Sequence, residues 1–204
     1  MNQKVDTSLA ECLENAKTAA DKVSLLFQYM DQHGQSFYDE SVTQLQHGLQ
    51  AAFLARTNGA TDEQVTAALL HDIGHFLMDE HDAQGDFLQE DWCHETVGAD
   101  LLEPFFPTVI IESIRQHVPA KRYLCAVDPR YHDGLSQASK RSLDLQGGKF
   151  TPEEVAEFEK NPHHETVVLV RRWDDGAKIK DLEVPGLEAY QETVESCVLQ
   201  GNGK

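Results

Sequence analysis

The chain has 204 residues, of which 40% are apolar, and its 17 Lys and Arg against 35 Asp and Glu give a formal net charge of −18. This length suffices for one domain around one hydrophobic core, without disulfides or oligomerisation to stabilise it. The negative charge disfavours binding to nucleic-acid backbones and anionic membrane surfaces, because no run rich in Lys or Arg interrupts it. An anionic substrate would therefore need a local group of cations.

The N-terminal segment has no continuous apolar stretch, and no segment approaches the roughly 18 apolar residues that cross a bilayer. The four cysteines are far apart and include no C-x-x-C pair, so they are expected to be reduced structural thiols. These features predict a cytoplasmic protein without membrane or nucleic-acid partners. They leave the oligomeric state unknown.

Helical signals dominate the first part of the chain. Apolar residues at helical spacing from Leu9 to Met30 predict one helix, opened by a capping box at Ser8–Glu11 and ended by Gly34. Capping boxes at 43–46 and 61–64 predict two more helices. The first of these ends at Asn58-Gly59, and the second runs into His71-Asp72.

Prolines and a further capping box divide the rest of the chain. After a polar loop from Phe76 to Asp91, helices are predicted over about 93–103 and 108–117, ending at Pro104 and Pro119. Residues 120–134 are predicted to be irregular. A capping box at Thr151 opens a short helix to Lys160, and two more helices follow over 165–174 and 187–199. Since no segment alternates with period two, the sequence predicts an all-α fold in a single domain over 1–204.

The expected chemistry centres on His71-Asp72 at the end of an apolar helix. Histidines on neighbouring helices and one late aspartate accompany this pair: His47, His94, His117 and Asp174. Adjacent helical residues project about 100° apart, so His71 and Asp72 cannot bind one ion as equivalent neighbours unless the helix end distorts. A carboxylate that bridges two ions resolves this, with His71 at the first ion and His94 and His117 at the second.

Four imidazoles and two carboxylates form a mixed nitrogen and oxygen donor set. Such a set suits iron, manganese or zinc better than magnesium or copper(I). A lone histidine is more often a surface or core residue than a ligand. That interpretation is preferred for the remaining isolated histidines, His33, His81, His132, His163 and His164.

The H...HD...H...H...D order resembles the HD-domain superfamily, most of whose members are phosphohydrolases. Further motifs narrow the resemblance: HDIGH, HVPAKRYLCAVDP, LSQASKRSL, LQGG and RRWDDGAK. Together, over about residues 40 to 180, they closely resemble the PhnZ-type mixed-valent diiron oxygenases. That family cleaves the carbon-phosphorus bond of 1-hydroxy-2-aminoethylphosphonates.

The resemblance implies a compact HD-type helical bundle, with the metal-binding core at about 40–180 and terminal helices packed on it. It implies two irons in a mixed-valent Fe(II)/Fe(III) pair, with O2 as co-substrate. One iron would be held by His47, His71, Asp72 and Asp174, and the other by Asp72, His94 and His117.

The resemblance also assigns substrate contacts and catalytic roles. Phosphonate contacts fall on His75, Lys121, Ser139 and Arg171. Arg171 also lies three residues before Asp174, so the two share a helix face. Without the resemblance, Lys121 would be read as an ordinary solvated lysine and Arg171 as the partner of a carboxylate.

Catalytic participation is expected of Asp72, His75 and Tyr38. The family's iron-gating tyrosine falls by strict spacing on Phe37, and the available phenol is Tyr38 one position later. Glu40 matches the family's acidic residue that binds the substrate amino group. The Phe37–Glu40 cluster would also suit a quaternary ammonium through cation-π and charge attraction.

The expected reaction is oxidative cleavage of a 1-hydroxy-2-(trimethylammonio or amino)ethylphosphonate by O2, giving glycine betaine or glycine plus phosphate. The main alternative is an HD-domain metal-dependent phosphohydrolase, which uses the same ligands but needs no O2. A non-enzymatic HD sensor is disfavoured because all six ligands are present. An inositol-oxygenase-like diiron enzyme is disfavoured by the AKRYLC and RRWDDGAK motifs.

Overall fold

The computed structural model describes residues 5–36, 42–78 and 93–200. These ranges are mainly helical and contain no extended strand, and an isolated bridge pairs Val5 with Met78. The prediction of an all-α fold is confirmed. Among the described helices, none has the length and apolar composition needed to cross a membrane.

The helices follow one another through short connections. In chain order they are α1 (Ser8–Asn15), α2 (Ala19–His33), α3 (Gln44–Thr57), α4 (Asp62–Leu70), α5 (Ile73–Leu77), α6 (His94–Leu102), α7 (Thr108–Val127), α8 (Tyr131–Gly134), α9 (Gln137–Leu145), α10 (Pro152–Phe158), α11 (His164–Gly176) and α12 (Gln191–Cys197). A 3₁₀ turn, Leu187–Tyr190, leads into α12.

The first predicted helix is in fact two helices, α1 and α2. Ala16 is extended after α1, and Thr18 opens α2 with a capping box that it forms with Asp21. Lys22 then donates to the backbone oxygens of Leu13 and Ala16, which satisfies carbonyls at the end of α1. The break is stable because both helix ends find hydrogen-bond partners.

The prediction of a capping box at Ser8 is wrong. Thr7 is the N-cap of α1 and makes no side-chain capping bond, while Asp6 accepts a hydrogen bond from the backbone N–H of Ser8 at 2.9 Å. Gly34 is the C-cap of α2 as predicted, and its N–H donates to the carbonyl of Met30.

The other predicted capping boxes are confirmed. Thr43, Thr61 and Thr151 each accept a hydrogen bond from the backbone N–H three residues later, and the side chain of that residue accepts one in return. The predicted end of α3 at Asn58 is also correct. These caps depend on four consecutive residues, which explains why local sequence predicts them.

The predicted helix end at Pro119 is wrong, because α7 continues through this proline to Val127. A proline in a helix interior removes one hydrogen bond and costs about 3 kcal/mol. The flanking Val118, Ala120 and Leu124 are buried, and α7 packs along α4, α6 and α11. Burial of this long face therefore outweighs the local preference of proline, and the predicted irregular stretch from 120 is helical as far as 127.

Part of the predicted loop is helical, and so is a segment for which no element was predicted. Phe76 and Leu77 complete α5, whereas residues 79–92 of the predicted loop lie outside the described part of the chain. The LSQASKRSL motif forms α9, whose N-cap Ser136 accepts a hydrogen bond from the N–H of Ser139.

The main cluster of buried apolar side chains extends from Leu9 in α1 to Val198 after α12. Helices α3, α4, α7 and α11 pack against one another in the middle of this arrangement, and α12 packs on α2 and α4. The centre of the bundle therefore receives side chains from elements that are distant in sequence.

Candidate metal centre

The structure brings together all six side chains expected to hold metal. His47 lies in α3, His71 and Asp72 at the junction of α4 and α5, His94 at the start of α6, His117 in α7 and Asp174 in α11. Five of them are at most 4% exposed, and His94 is partly buried. The cluster therefore lies inside the bundle.

Asp72 faces two pairs of histidines with its two carboxylate oxygens. Its Oδ2 lies 3.3 Å from Nε2 of both His47 and His71. Its Oδ1 lies 3.3 Å from Nε2 of both His94 and His117. The helix is interrupted at this point, since Asp72 has φ −102° and ψ 15° between α4 and α5. This is the geometry that a carboxylate bridging two ions requires.

Backbone carbonyls orient three of the imidazoles. Nδ1 of His47 lies 2.9 Å from the oxygen of Ala177, and Nδ1 of His71 lies 2.9 Å from that of Ala68. Nδ1 of His117 lies 2.7 Å from the oxygen of Ile114. Because a carbonyl only accepts, each Nδ1 donates to its carbonyl, and Nε2 is the ring nitrogen that faces the centre.

The Nε2 atoms are close enough to share ions. They are separated by 3.1 Å between His47 and His71 and by 3.2 Å between His94 and His117. Two donors about 2.1 Å from one ion lie about 3.0–3.4 Å apart for octahedral to tetrahedral angles. Lone pairs at this separation repel one another unless positive charge lies between them.

Asp174 completes the first half of the cluster. Its Oδ1 lies 3.3 Å from Nε2 of His47, and its Oδ2 forms an ion pair with Nη1 of Arg171 at 2.6 Å. Oδ1 of Asp174 and Oδ2 of Asp72 are buried and have no hydrogen-bond partner among the described residues. Buried carboxylate oxygens without donors are costly, and a metal ion between the side chains would satisfy both.

Ligand atoms within 4.8 Å of one another form three overlapping groups, which are His47, His71 and Asp72; His71, His117 and Asp174; and Asp72, His94 and His117. The first group contains three of the four residues expected at one site, the third contains the three expected at the other, and the second places Asp174 with His71 and His117. The cluster can therefore hold two adjacent ions, and its imidazole and carboxylate donors fit iron, manganese or zinc.

The electrostatics of the cluster favour bound cations. Burial opposes ionisation of Asp72, yet His71 and the other histidines hold the pKa of Asp72 well below its ordinary value. Burial alone would lower the pKa of His71, but Asp72 raises this pKa to about 9. The carboxylates thus attract positive charge strongly enough to draw a proton onto a buried ring.

Close approach of α5 and α6 places His94 near Asp72. A Cβ on Gly74 would lie 1.9 Å from the backbone oxygen of His94, and a Cβ on Gly98 would lie 2.9 Å from the nitrogen of Gly74. Only glycine at these positions allows the two backbones to touch.

The expected phosphonate contacts lie beside this cluster. Lys121 follows His117 by one turn of α7, is 3% exposed, and donates from Nζ to Oγ of Ser142 at 2.7 Å. Burial, assisted by the charge of Arg171, lowers the pKa of Lys121 to about 7. A buried ammonium whose described hydrogen bond is to a hydroxyl is well suited to receive an anion.

The other expected contacts are arranged differently. Ser139 is buried, and its Oγ accepts a hydrogen bond from Oγ of Ser136 at 3.0 Å. The ring of His75 stacks on that of His94 with centroids 3.8 Å apart. Tyr38 and Glu40 lie outside the described residues, so their expected roles have no structural description here.

Several side chains near the site were not singled out by sequence. Ser142 holds Lys121, and Lys178 lies with its Nζ 3.5 Å from Oδ1 of Asp174. Ser142 follows Ser139 by three residues, a helical spacing that would have indicated a shared face if α9 had been predicted. Lys178 follows Asp174 by four residues, and this spacing also indicates side chains close enough to interact.

Comparisons with known proteins identify the family of this chain. The HD domain family matches residues 45–175. A hydroxymethylphosphonate dioxygenase of Gimesia maris is 63% identical over 97% of the chain and 98% of the relative. A glycine-betaine-forming [1-hydroxy-2-(trimethylamino)ethyl]phosphonate dioxygenase of Leisingera caerulea is 46% identical over 82% of the chain and 86% of the relative.

A third relative, an uncharacterized protein of Acanthamoeba polyphaga mimivirus, is 34% identical over 87% of the chain and 82% of the relative. Two of these relatives are named as dioxygenases, which together with the ligand cluster supports an enzyme that uses a metal and O2. The chain belongs to the HD-domain family and, within it, to the PhnZ-type oxygenases.

Proposed function

We propose that the protein is a diiron dioxygenase that uses O2 to cleave the carbon-phosphorus bond of a 1-hydroxyalkylphosphonate. The observation that carries this proposal is the placement of Asp72 between two histidine pairs, with the buried cations Lys121 and Arg171 beside the cluster. A pair of metal sites next to buried cations is suited to a substrate that carries both a hydroxyl and a dianion.

The relatives support two substrates that share one reacting carbon. One relative is named for hydroxymethylphosphonate and the other for [1-hydroxy-2-(trimethylamino)ethyl]phosphonate. Both compounds place a hydroxyl and a phosphonate on the same carbon. Hydroxymethylphosphonate is the first candidate because the relative named for it has the higher identity and coverage of the two. The trimethylammonio and amino compounds expected from the sequence are the second.

His47, His71, Asp72 and Asp174 would hold one iron, and Asp72, His94 and His117 the other. The mixed-valent Fe(II)/Fe(III) pair would supply Lewis acidity and the one-electron chemistry that activates O2. Lys121 and Arg171 would hold the phosphonate dianion and so orient the carbon toward the metal ligands. His75 and Ser139 would add polar contacts to the same group, with His75 held by stacking on His94.

The reaction balances without an external reductant. Hydroxymethylphosphonate dianion and O2 give formate and dihydrogen phosphate. The carbon loses one bond to hydrogen and its bond to phosphorus and gains bonds to oxygen, while phosphorus gains a fourth oxygen. The substrate is oxidised by four electrons, and O2 accepts all four. The substituted substrates would give glycine betaine or glycine in place of formate.

The test is to incubate iron-loaded protein with hydroxymethylphosphonate and with the 2-trimethylammonio- and 2-amino-1-hydroxyethylphosphonates, in air and without O2. Phosphate, O2 uptake and the carboxylic acid are measured. We expect one phosphate and one carboxylate for each O2 consumed, and no phosphate under anaerobic conditions. Phosphate release that continues without O2 would instead identify the HD-type phosphohydrolase, in which hydrolysis occurs at phosphorus.

We also propose that residues 1–204 form one HD-type domain, with its metal-binding core at about 40–180. The support is the main apolar cluster, which includes residues from Leu9 to Val198. Packing of the terminal helix α12 on α2 and α4 supports the same arrangement.

A further inference from the structure

Arg171 is held on three sides, by two hydrogen bonds and an ion pair. Its Nη1 forms an ion pair with Oδ2 of Asp174 at 2.6 Å, its Nη2 donates to Oδ1 of Asp175, and its Nε donates to the hydroxyl of Tyr131 at 3.1 Å. The Tyr131 hydroxyl in turn donates to Oδ2 of Asp175. Since Arg171 is only 4% exposed, these bonds rather than solvent set the orientation of its guanidinium.

This arrangement leaves donors for a ligand. A guanidinium carries five N–H groups, and the contacts of Arg171 with the described residues engage one on each of its three nitrogens. One N–H remains on each of the two terminal nitrogens. Two such donors on one planar group match the two oxygens of a phosphonate.

Tyr131 lies in α8 and Asp175 in α11. Their side chains contact each other, and both contact Arg171. Burial raises the pKa of Tyr131 well above its ordinary value, so this hydroxyl remains a donor to Asp175. Asp175 places a negative charge near the proposed phosphonate site at Arg171, where by itself it would repel the substrate. A carboxylate in that position helps binding only if it orients a cation.

Asp174 cannot orient Arg171 alone. Its Oδ1 faces His47 within the metal cluster, so only Oδ2 is available to the guanidinium. Without Tyr131 and Asp175, the guanidinium would be free to rotate about its single contact with Asp174. It would then present its N–H groups to a phosphonate in fewer of its orientations.

We propose that Tyr131 and Asp175 are positioning residues that hold Arg171 so that its two remaining N–H groups point at the oxyanion of the substrate. The inference rests on the proposed function for the identity of that oxyanion as a phosphonate. Both residues act through Arg171.

The test uses Tyr131→Phe, Asp175→Asn and the double variant. Tyr131 and Asp175 line a surface cavity of about 520 Å³ together with Arg130 and Arg172, so removal of one hydroxyl there leaves no sealed void. Matched controls are Tyr123→Phe, which removes a hydroxyl that donates to Glu159 at 2.9 Å, and Asp133→Asn, whose side chain is 87% exposed.

For each iron-loaded variant, the KM and kcat with hydroxymethylphosphonate, the Kd of methylphosphonate by calorimetry and the iron content are measured. We expect each single variant to raise KM and Kd about tenfold, with kcat within about twofold and iron unchanged. The KM and Kd of the double variant should be close to those of the single variants, because the two residues act on one guanidinium. Asp175→Glu should restore part of the affinity, and the controls should match wild type.

Unchanged KM and Kd in Tyr131→Phe and Asp175→Asn would overturn the inference. A loss of iron together with an equal fall in kcat would also overturn it, since that pattern indicates a purely structural role. Methylphosphonate lacks the hydroxyl, so its binding tests the positioning separately from turnover. If wild type turned over no hydroxyphosphonate, the proposed function would fail, while the ratio of Kd values would still decide the role of Tyr131 and Asp175.

Discussion

Asp72 is the residue on which both halves of the metal centre depend. Its two oxygens face different histidine pairs, each at 3.3 Å. The other ligands belong to one half each, so their loss should affect the two ions unequally. This difference makes single histidine variants informative about the number of metal sites.

His117→Ala should reduce the iron content from two ions per chain to one, because His47, His71 and Asp174 remain to hold the other ion. Elemental analysis after purification under reducing conditions measures this. The matched control is His132→Ala, since the side chain of His132 is 51% exposed and should be irrelevant to iron. Two irons retained in His117→Ala would show that His117 is not a ligand.

Lys121→Ala should raise the KM for the phosphonate about 10- to 100-fold without loss of iron. The reason is that a charge-assisted hydrogen bond contributes about 1.5–3 kcal/mol, and each 1.4 kcal/mol is about a factor of ten. Steady-state kinetics and iron analysis check the two parts. Lys149→Ala, at an exposed position, is the control and should match wild type. Iron loss in Lys121→Ala would contradict its assignment to substrate.

Lys121 should also make stability depend on pH. Its pKa is lowered from 10.5 to about 7 in the folded protein, so between these values the unfolded chain binds the additional proton. The free energy of unfolding of metal-free wild type should therefore rise with pH across this window, relative to Lys121→Met, by about 1.4 kcal/mol per pH unit at most. Urea unfolding at pH 7 and pH 9 measures the difference. Equal changes in both proteins would show that burial does not lower the pKa of Lys121.

At the scale of elements, short helices and their ends place the ligands. His71 caps α4, Asp72 opens α5 and His94 opens α6. Helix ends allow adjacent residues to point in directions that a continuous helix forbids. The contact of α5 with α6 at Gly74 and Gly98 then sets the distance between the two halves of the site.

Gly74→Ala should displace α6, because its Cβ would lie 1.9 Å from the backbone oxygen of His94. We expect the iron bound by His94 to be lost and the Tm to fall, as in other overpacked contacts. Gly134→Ala is the control, since a Cβ there meets nothing within 4 Å. Iron analysis and thermal unfolding report both effects, and normal iron content in Gly74→Ala would refute the positional role of this contact.

At the scale of the whole molecule, the metal centre joins helices from most of the chain. Helices α3, α7 and α11 each contain one of the expected ligands, and His71 directly follows α4. These four helices form one packed group. The cluster also contains buried carboxylate oxygens without hydrogen-bond partners among the described residues. Bound metal should therefore stabilise the fold as a whole.

Removal of metal with a chelator should lower the Tm by about 8–16 °C for each tightly bound ion. An ion present at 1,000 times its Kd contributes about 4 kcal/mol, and 1 kcal/mol shifts the Tm by about 2–4 °C at this chain length. Differential scanning calorimetry before and after chelation measures the shift, and added Fe(II) should restore it. An unchanged Tm after complete removal of metal would contradict a ligand cluster in the core.

Much of the fold and of the site was predictable from local patterns. The capping boxes at Thr43, Thr61 and Thr151 are correct because each depends on four consecutive residues. The error at Ser8 arose because Asp6, two residues earlier, accepts the hydrogen bond from its N–H, whereas the error at Pro119 arose because packing against helices distant in sequence overrode local preference. Because the helix was predicted to end at Pro119, the sequence did not place Lys121 on the same helix as His117. In the structure, Lys121 is buried one turn after His117 on α7.

The sequence by itself determined the all-α fold class and the set of side chains that meet at the centre, because helical periodicity and the order of histidines and aspartates are properties of the chain. Only the tertiary structure decided how those side chains are held. Lys121 meets Ser142 across 21 residues, and Arg171 meets Tyr131 across 40. Such contacts depend on how whole helices pack, and the free energy of that packing is not encoded in any short segment.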